Sequence, residues 1–208
     1  MADDGKVFWE RTAARYDLSM RILGGPLGSM LPLVAEEVAG LEQVLEVAAG
    51  TGLVTRAVAP VVSELLATDY AEAMVAQLKQ RVAELGLENV QTRTLDVYAL
   101  DAAERFDGVV AANVLHLVPD LDEAVAAMAR VLRPGGRLVV PTYCHAQTFS
   151  ARMTSAVMSL GGFPGRRRFT LDSLQEALVR GGLEVRRSTL LPGLLPIGFV
   201  SGQRVVDT

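Results

Sequence analysis

Short apolar runs alternate with longer segments whose apolar residues recur every three or four positions, and this alternation holds from about residue 43 to residue 143. The runs predict strands over 43–49, 63–68, 89–95, 106–115 and 137–143. The periodic segments predict helices over 53–61, 71–85 and 121–132. Gly86 is placed to cap the second of these helices, and Arg133-Pro134-Gly135-Gly136 reads as a turn into the fifth strand. Regular strand and helix alternation implies an α/β domain with a mostly parallel sheet and helices on both faces.

The flanks are less regular. A short amphipathic helix is predicted over 7–17, an apolar segment over 21–32 is broken by Gly24-Gly25-Pro26 and Gly28, and helix resumes over 33–39 until Gly40. After residue 143 the pattern gives a helix over 150–160, a loop over 161–168 rich in Gly and Arg, and a helix over 171–179. Two strands, 183–190 and 197–206, are separated by Pro192-Gly193-Leu194-Leu195-Pro196, which is too short for a crossover helix. They should pair antiparallel, completing a seven-stranded sheet. Neither a repeat nor a linker divides the 208 residues, so the expectation is one doubly wound domain with residues 1–40 as a helical cap.

Composition narrows the classes. Half of the residues are hydrophobic, yet no stretch of eighteen apolar residues runs free of charges or Gly/Pro breaks, so no transmembrane segment is expected. Asp3 and Asp4 stand where a signal peptide would carry basic residues and an apolar region. A lone cysteine, Cys144, supports neither an intrachain disulfide nor a cysteine-cluster metal site, and a cytoplasmic location fits. The formal net charge of -4 gives no general attraction to nucleic acid.

Ligands of open doubly wound sheets sit at the carboxyl ends of the strands, near the point where strand order reverses. Those ends carry Gly50-Thr51-Gly52, Asp69-Tyr70, Asp96-Val97 and Asn113. Positions 48, 50 and 53 hold Ala, Gly and Leu, so the pyrophosphate fingerprint of dinucleotide enzymes fails, and no phosphate-binding loop of the G-x-x-x-x-G-K-[ST] type occurs. An adenosine-type ligand without phosphates remains. It would need an acid for the ribose hydroxyls, an apolar wall for the base and bare backbone for a zwitterionic tail.

On these residues the chain resembles the class I S-adenosylmethionine-dependent methyltransferases. Glu46-Val47-Ala48-Ala49-Gly50-Thr51-Gly52 looks like the family's E-x-G-x-G-x-G motif with Ala48 in place of the first Gly. Asp69 matches the acid that binds ribose hydroxyls, Tyr70 the residue packed on adenine, and Asp96-Val97 the pair at the adenine edge. Phe106-Asp107-Gly108-Val109-Val110 with Asn113-Val114-Leu115-His116, and Leu132-Arg133-Pro134-Gly135-Gly136-Arg137-Leu138, resemble the approaches to and from strands four and five. The Trp9 to Asp17 opening is similar to the quinone and phospholipid methyltransferase branch, where a Tyr-Asp pair closes over the cofactor, a role that falls here to Tyr16. The resemblance implies the Rossmann-like methyltransferase fold and S-adenosylmethionine as cofactor. It implies a cofactor set of Tyr16, Glu46, Ala48, Ala49, Gly50, Gly52, Asp69, Tyr70, Met74, Asp96, Val97 and Asn113. Asn113-Val114-Leu115-His116 stands where methyltransferases of DNA bases carry a D/N-P-P-Y motif, so that substrate class is disfavoured.

Other readings remain open at several residues. Asp69 is also suited to capping the helix after it. His116 suits proton removal from an acceptor if its pKa stays near 6.5, or else it is a packed, hydrogen-bonded residue. Tyr143 and His145 are candidates for the acceptor side, Cys144 and His145 alone make no metal site, and no metal is expected. Arg166-Arg167-Arg168 is either a solvated loop or a site for an anionic acceptor or lipid headgroup. Met153 and Met158 read as core or cap residues. The expected activity is methyl transfer to a small, hydrophobic acceptor, by a monomer or homodimer with room for peripheral membrane contact; the alternative is a non-catalytic S-adenosylmethionine-binding or regulatory protein of the same fold.

Overall fold

A computed structural model describes residues 26–101, 106–160 and 167–205, with the side chains of 157–160 excepted. The predicted helix over 7–17, Tyr16, Arg166 and the side chain of Met158 lie outside the described residues. The described chain forms α1 (Leu27–Val38), β1 (Gln43–Glu46), α2 (Thr55–Val58), β2 (Glu64–Asp69), α3 (Glu72–Glu84), β3 (Val90–Thr94) and β4 (Phe106–Val110). It continues through α4 (Leu121–Val131), β5 (Leu132–Tyr143), α5 (Phe149–Leu160), α6 (Leu171–Arg180), β6 (Leu183–Leu191) and β7 (Ile197–Arg204). Single 3₁₀ turns follow α2 at Ala59–Val61 and β3 at Val97–Ala99.

One seven-stranded sheet runs in the order β3-β2-β1-β4-β5-β7-β6. β1 pairs in parallel with both β2 and β4, so strand order reverses at β1 and β4, and their carboxyl ends border a single crevice. β7 enters between β5 and β6 and pairs antiparallel with each, as the short connection required. The sheet has a core on each face. Leu45, Val109, Leu138 and Val140 pack with Met128 of α4 and Leu174 and Leu178 of α6. Val44, Val110, Val139 and Phe199 pack on the other face with Met30, Val34 and Val38 of α1 and Val54 and Val58 near α2. Strands buried on both faces explain the continuous apolar runs.

Several expected boundaries move, each for a physical reason. The helix expected to resume at residue 33 begins at Leu27 and runs through Pro32. Leu27, Met30, Val34 and Val38 are all buried along one face of it, and that burial outweighs the hydrogen bond that proline removes. The helix expected over 53–61 shrinks to Thr55–Val58 plus a 3₁₀ turn, with Pro60 inside that turn. The strand expected over 106–115 ends at Val110, because Asn113 turns the chain with φ of +53°. Residues 133–136 are not a turn before β5 but a bulge within it: Phe106 pairs with Leu132 and Gly108 with Arg137. Arg133 reaches Asp107 there at 2.5 Å, while Asp107 also accepts the Gln43 N–H at 2.9 Å, fixing the amino ends of three strands together.

Candidate active site

The turn after β1 is built from below by buried polar contacts. Glu46 is buried, and its Oε2 accepts the Thr55 hydroxyl at 2.7 Å, while the Thr68 hydroxyl donates to the Glu46 carbonyl at 2.9 Å. Burial pushes the Glu46 carboxyl up from 4.5 to about 8, with Asp69 adding to the rise and Thr55 opposing it. Glu46 is therefore spent on holding the turn, and Thr55 and Thr68 are its partners. The sequence signal for them was faint: two hydroxyls inside otherwise apolar stretches.

Above that support the backbone takes left-handed values at three alternate residues, Ala48 (+53°), Gly50 (+57°) and Gly52 (+90°). Gly52 has a second constraint, since an added Cβ would lie 2.9 Å from Leu78 Cδ1. Ala48 thus occupies a conformation that glycine adopts freely and alanine adopts at a cost of about 1–2 kcal/mol. Its methyl group packs against the core under α4 and α6, and its neighbour Ala49 is buried with Ala67 and Leu78.

Asp69 ends β2 and joins two of these pieces. Its Oδ2 accepts the Gly50 N–H and its Oδ1 the Ala71 N–H, both at 2.9 Å. Ala71 is itself the residue before α3 and carries no side-chain cap, so Asp69 is not the helix N-cap that its residue type allowed. Burial raises the Asp69 pKa, and the backbone donors of Ala71, Gly50 and Tyr70 work against that rise. A carboxylate offers about four acceptor positions, so even with these backbone donors bound it keeps capacity for a ribose hydroxyl. Tyr70 and Ala73 pack on buried Ala71 and Met74 in a small apolar cluster of their own, beside Asp69. On the next strand end, Asp96 Oδ1 accepts the Tyr98 N–H at 3.1 Å and Val97 packs on the core.

Across the crevice, Asn113 donates its N–H to the Pro141 carbonyl at 2.8 Å, and its Oδ1 is buried without a hydrogen-bond partner. His116, Tyr143 and His145 come together beyond it. Ring centroids lie 5.6 Å apart for the two histidines, 6.4 Å for His116 and Tyr143, and 6.1 Å for Tyr143 and His145. Burial, then the neighbouring His145, pushes His116 down to about 3, away from the value near 6.5 on which its reading as a base relied. His145 is lowered as well, first by burial and then by Arg168. Both imidazoles are neutral near pH 7, and His116 is a weak base. Cys144 is buried and its thiol pushed up to about 11 by burial, which makes it unreactive.

The arginine-rich segment is divided in use. Arg168 is exposed, but Arg167 turns its guanidinium to the carbonyls of Val118 and Pro119. On α5, Phe149 is 79% exposed and Met153 54%, so Met153 is a surface residue and not a core one. Among the described residues no group of three or more His, Cys, Asp or Glu is placed to hold a metal ion, and no helix is long and apolar enough to cross a membrane.

Comparison with known proteins extends the geometry. Residues 44–136 match the family described as Methyltransferase domain. A phosphatidylethanolamine N-methyltransferase of Cereibacter sphaeroides is 40% identical over 103 residues, 47% of this chain and 49% of that protein. A ubiquinone/menaquinone biosynthesis C-methyltransferase of Teredinibacter turnerae is 33% identical over 143 residues, 65% of this chain and 57% of that protein. The chain spans about half the length of the curated relatives it matches. Magnesium protoporphyrin IX methyltransferase of Synechocystis, solved with S-adenosylhomocysteine bound, superposes with a TM-score of 0.72 at 17% identity, covering 89% of this chain and 87% of that one. Motifs, strand order and relatives converge on a methyltransferase domain of the S-adenosylmethionine-dependent type over residues 44–136.

Proposed function

We propose that this chain transfers a methyl group from S-adenosylmethionine to a small, hydrophobic acceptor. The observation that carries the proposal is the Asp69 carboxylate, which ends β2 and bonds the Gly50 N–H of the left-handed turn at the reversal point of the sheet. The residues present fit the cofactor. Asp69 has acceptor capacity for a ribose hydroxyl, Tyr70 and Met74 supply an apolar wall for adenine, and Asp96 and Val97 stand at its edge. The Ala48 to Gly52 backbone floors the methionyl part, and the partnerless Asn113 Oδ1 suits a cationic N–H donor.

The cofactor supplies a methyl group already activated on a sulfonium; the chain's own task is alignment. Fixing donor and acceptor in line is worth roughly 7–11 kcal/mol, well above what a general base adds. A neutral, weakly basic His116 fits that division, shaping the acceptor side with Tyr143 and His145 rather than taking a proton. An apolar acceptor is supported by exposed Phe149 and Met153 on α5, the helix that follows His145. Exposed Arg168, whose charge acts on His145, suits an acceptor with an anionic group. The named relatives are a phosphatidylethanolamine N-methyltransferase and a ubiquinone/menaquinone biosynthesis C-methyltransferase, which supports an acceptor of lipid or quinone type.

Calorimetry with S-adenosylhomocysteine, followed by product formation from S-adenosylmethionine over a panel of lipid, quinol and small polar acceptors, tests the proposal. Micromolar cofactor affinity with turnover on apolar acceptors is the expected result. No S-adenosylhomocysteine affinity overturns it, and turnover confined to polar acceptors overturns the hydrophobic assignment.

A further inference from the structure

Residues 116–120, between β4 and α4, carry His116 into the site, and their carbonyl groups are captured by two residues distant in sequence. Tyr98, in the 3₁₀ turn after β3, accepts the Asp120 N–H at 2.9 Å and donates its hydroxyl to the Asp120 carbonyl at 2.8 Å. Arg167, in the segment before α6, donates its backbone N–H to the His116 carbonyl at 3.2 Å. Its guanidinium donates to the Val118 carbonyl and, at 2.6 Å, to the Pro119 carbonyl. Four carbonyls, of residues 116, 118, 119 and 120, are thus held from two sides.

The two anchors come from opposite parts of the site. Tyr98 is one residue past Val97, and its own N–H binds Asp96 Oδ1, so its backbone belongs to the adenine edge. Arg167 precedes Phe169, whose carbonyl accepts the Ala146 N–H, so it belongs with the His145 side. Charge-assisted bonds such as those of Arg167 are the stronger kind.

We infer that Tyr98 and Arg167 are positioning residues that clamp residues 116–120 between them, so that seating a nucleoside against Asp96 and Val97 sets the placement of the His116 ring on the acceptor side. The inference rests on the proposed cofactor site. Neither side chain need touch the reacting atoms; each acts through the loop.

The chain contains two histidines, His116 and His145, so imidazole NMR signals give a direct report, with His145→Gln making the assignment. In the unaltered chain S-adenosylhomocysteine shifts the His116 ring signals. In Tyr98→Phe and Arg167→Met the ligand still binds, with affinity within about tenfold, while the His116 shift falls to less than half. Arg167→Lys, which keeps one donor, recovers part of it. Arg152→Met, which removes a bond to the Ala146 carbonyl outside the loop, leaves the shift unchanged. A full His116 shift in folded Tyr98→Phe and Arg167→Met overturns the inference while leaving the cofactor site standing. Tyr98→Phe is the mild variant should Arg167→Met not fold. Absence of S-adenosylhomocysteine binding to the unaltered chain overturns both.

Discussion

The Asp69 carboxylate and the Gly50 N–H meet at 2.9 Å, and this bond joins the end of β2 to the left-handed turn that follows β1. Replacing Asp69 with Asn presents an amide NH₂ to one of two backbone N–H groups, Gly50 or Ala71, that now share a carboxylate. Hydrogen bonds to a charged group are worth about 1.5–3 kcal/mol. Asp69→Asn should weaken S-adenosylhomocysteine binding by about ten- to a hundredfold in calorimetry; an unchanged affinity would remove Asp69 from the cofactor site.

Ala48 at φ +53° is a strained alanine, and Ala48→Gly should stabilise the fold. Relief of about 1–2 kcal/mol is partly offset by the greater freedom of glycine in the unfolded chain, about 0.4–1 kcal/mol. The net gain of roughly 0.5–1 kcal/mol corresponds to about 1–4 °C in Tm for a chain of this size. A lowered Tm would show that the Ala48 methyl contributes more through packing than its backbone costs.

Glu46 links stability to pH. Its folded-state pKa, raised from 4.5 to about 8, means the folded chain holds a proton that the unfolded chain releases between those values. Stability from this group is therefore fully present below about pH 4.5 and is lost as pH rises toward 8, at up to roughly 1.4 kcal/mol per pH unit. Asp69, also raised, acts in the same direction. Glu46→Gln keeps an acceptor for Thr55 and should flatten the fall in Tm between pH 5 and 8; identical slopes in the two proteins would contradict an un-ionised Glu46.

His116 has the opposite sign. A folded-state pKa pushed down to about 3 means that the unfolded chain takes up the proton first, so stability falls as pH drops below about 6.5. His116 ring signals should stay those of a neutral imidazole down to about pH 4. The plateau of kcat against pH should show no limb near 6.5 belonging to His116, and a His116→Gln variant that retains the shape of that profile agrees with a role in packing the acceptor side.

Much of the site was legible because its polar residues interrupt apolar strands at fixed places. Asp69 and Asn113 each end or follow a buried run, Asp96 follows the partly exposed edge strand β3, and the strand order sets all three at carboxyl ends of one sheet. The glycine turn was legible for the same reason, including the irregular Ala48. What the sequence concealed are choices decided by tertiary contact. Pro32 and Gly28 signal a break, yet buried Met30 and Val34 carry α1 through both. Pro134-Gly135-Gly136 signals a turn, yet the Arg133 and Asp107 pair holds it as a bulge within β5. Three consecutive arginines suggest a solvated cation patch, but Arg167 finds its partners among backbone carbonyls nearly fifty residues earlier, which carry no side-chain signature. The pKa of His116 is likewise set by its burial and by His145, a neighbour from another strand end.

β7 follows β6 in the chain but lies between it and β5. Until Ile197–Arg204 is in place, β6 and the open edge of β5 have no strand to bond among the described residues. During synthesis the sheet can zip in order only as far as β5, and the last described strand must slot into an interior berth. Ribosomal exit, rather than collapse of the first five strands, then sets the moment at which β6 joins the sheet, and a ribosome stalled before Ile197 would present a bare strand edge to its surroundings.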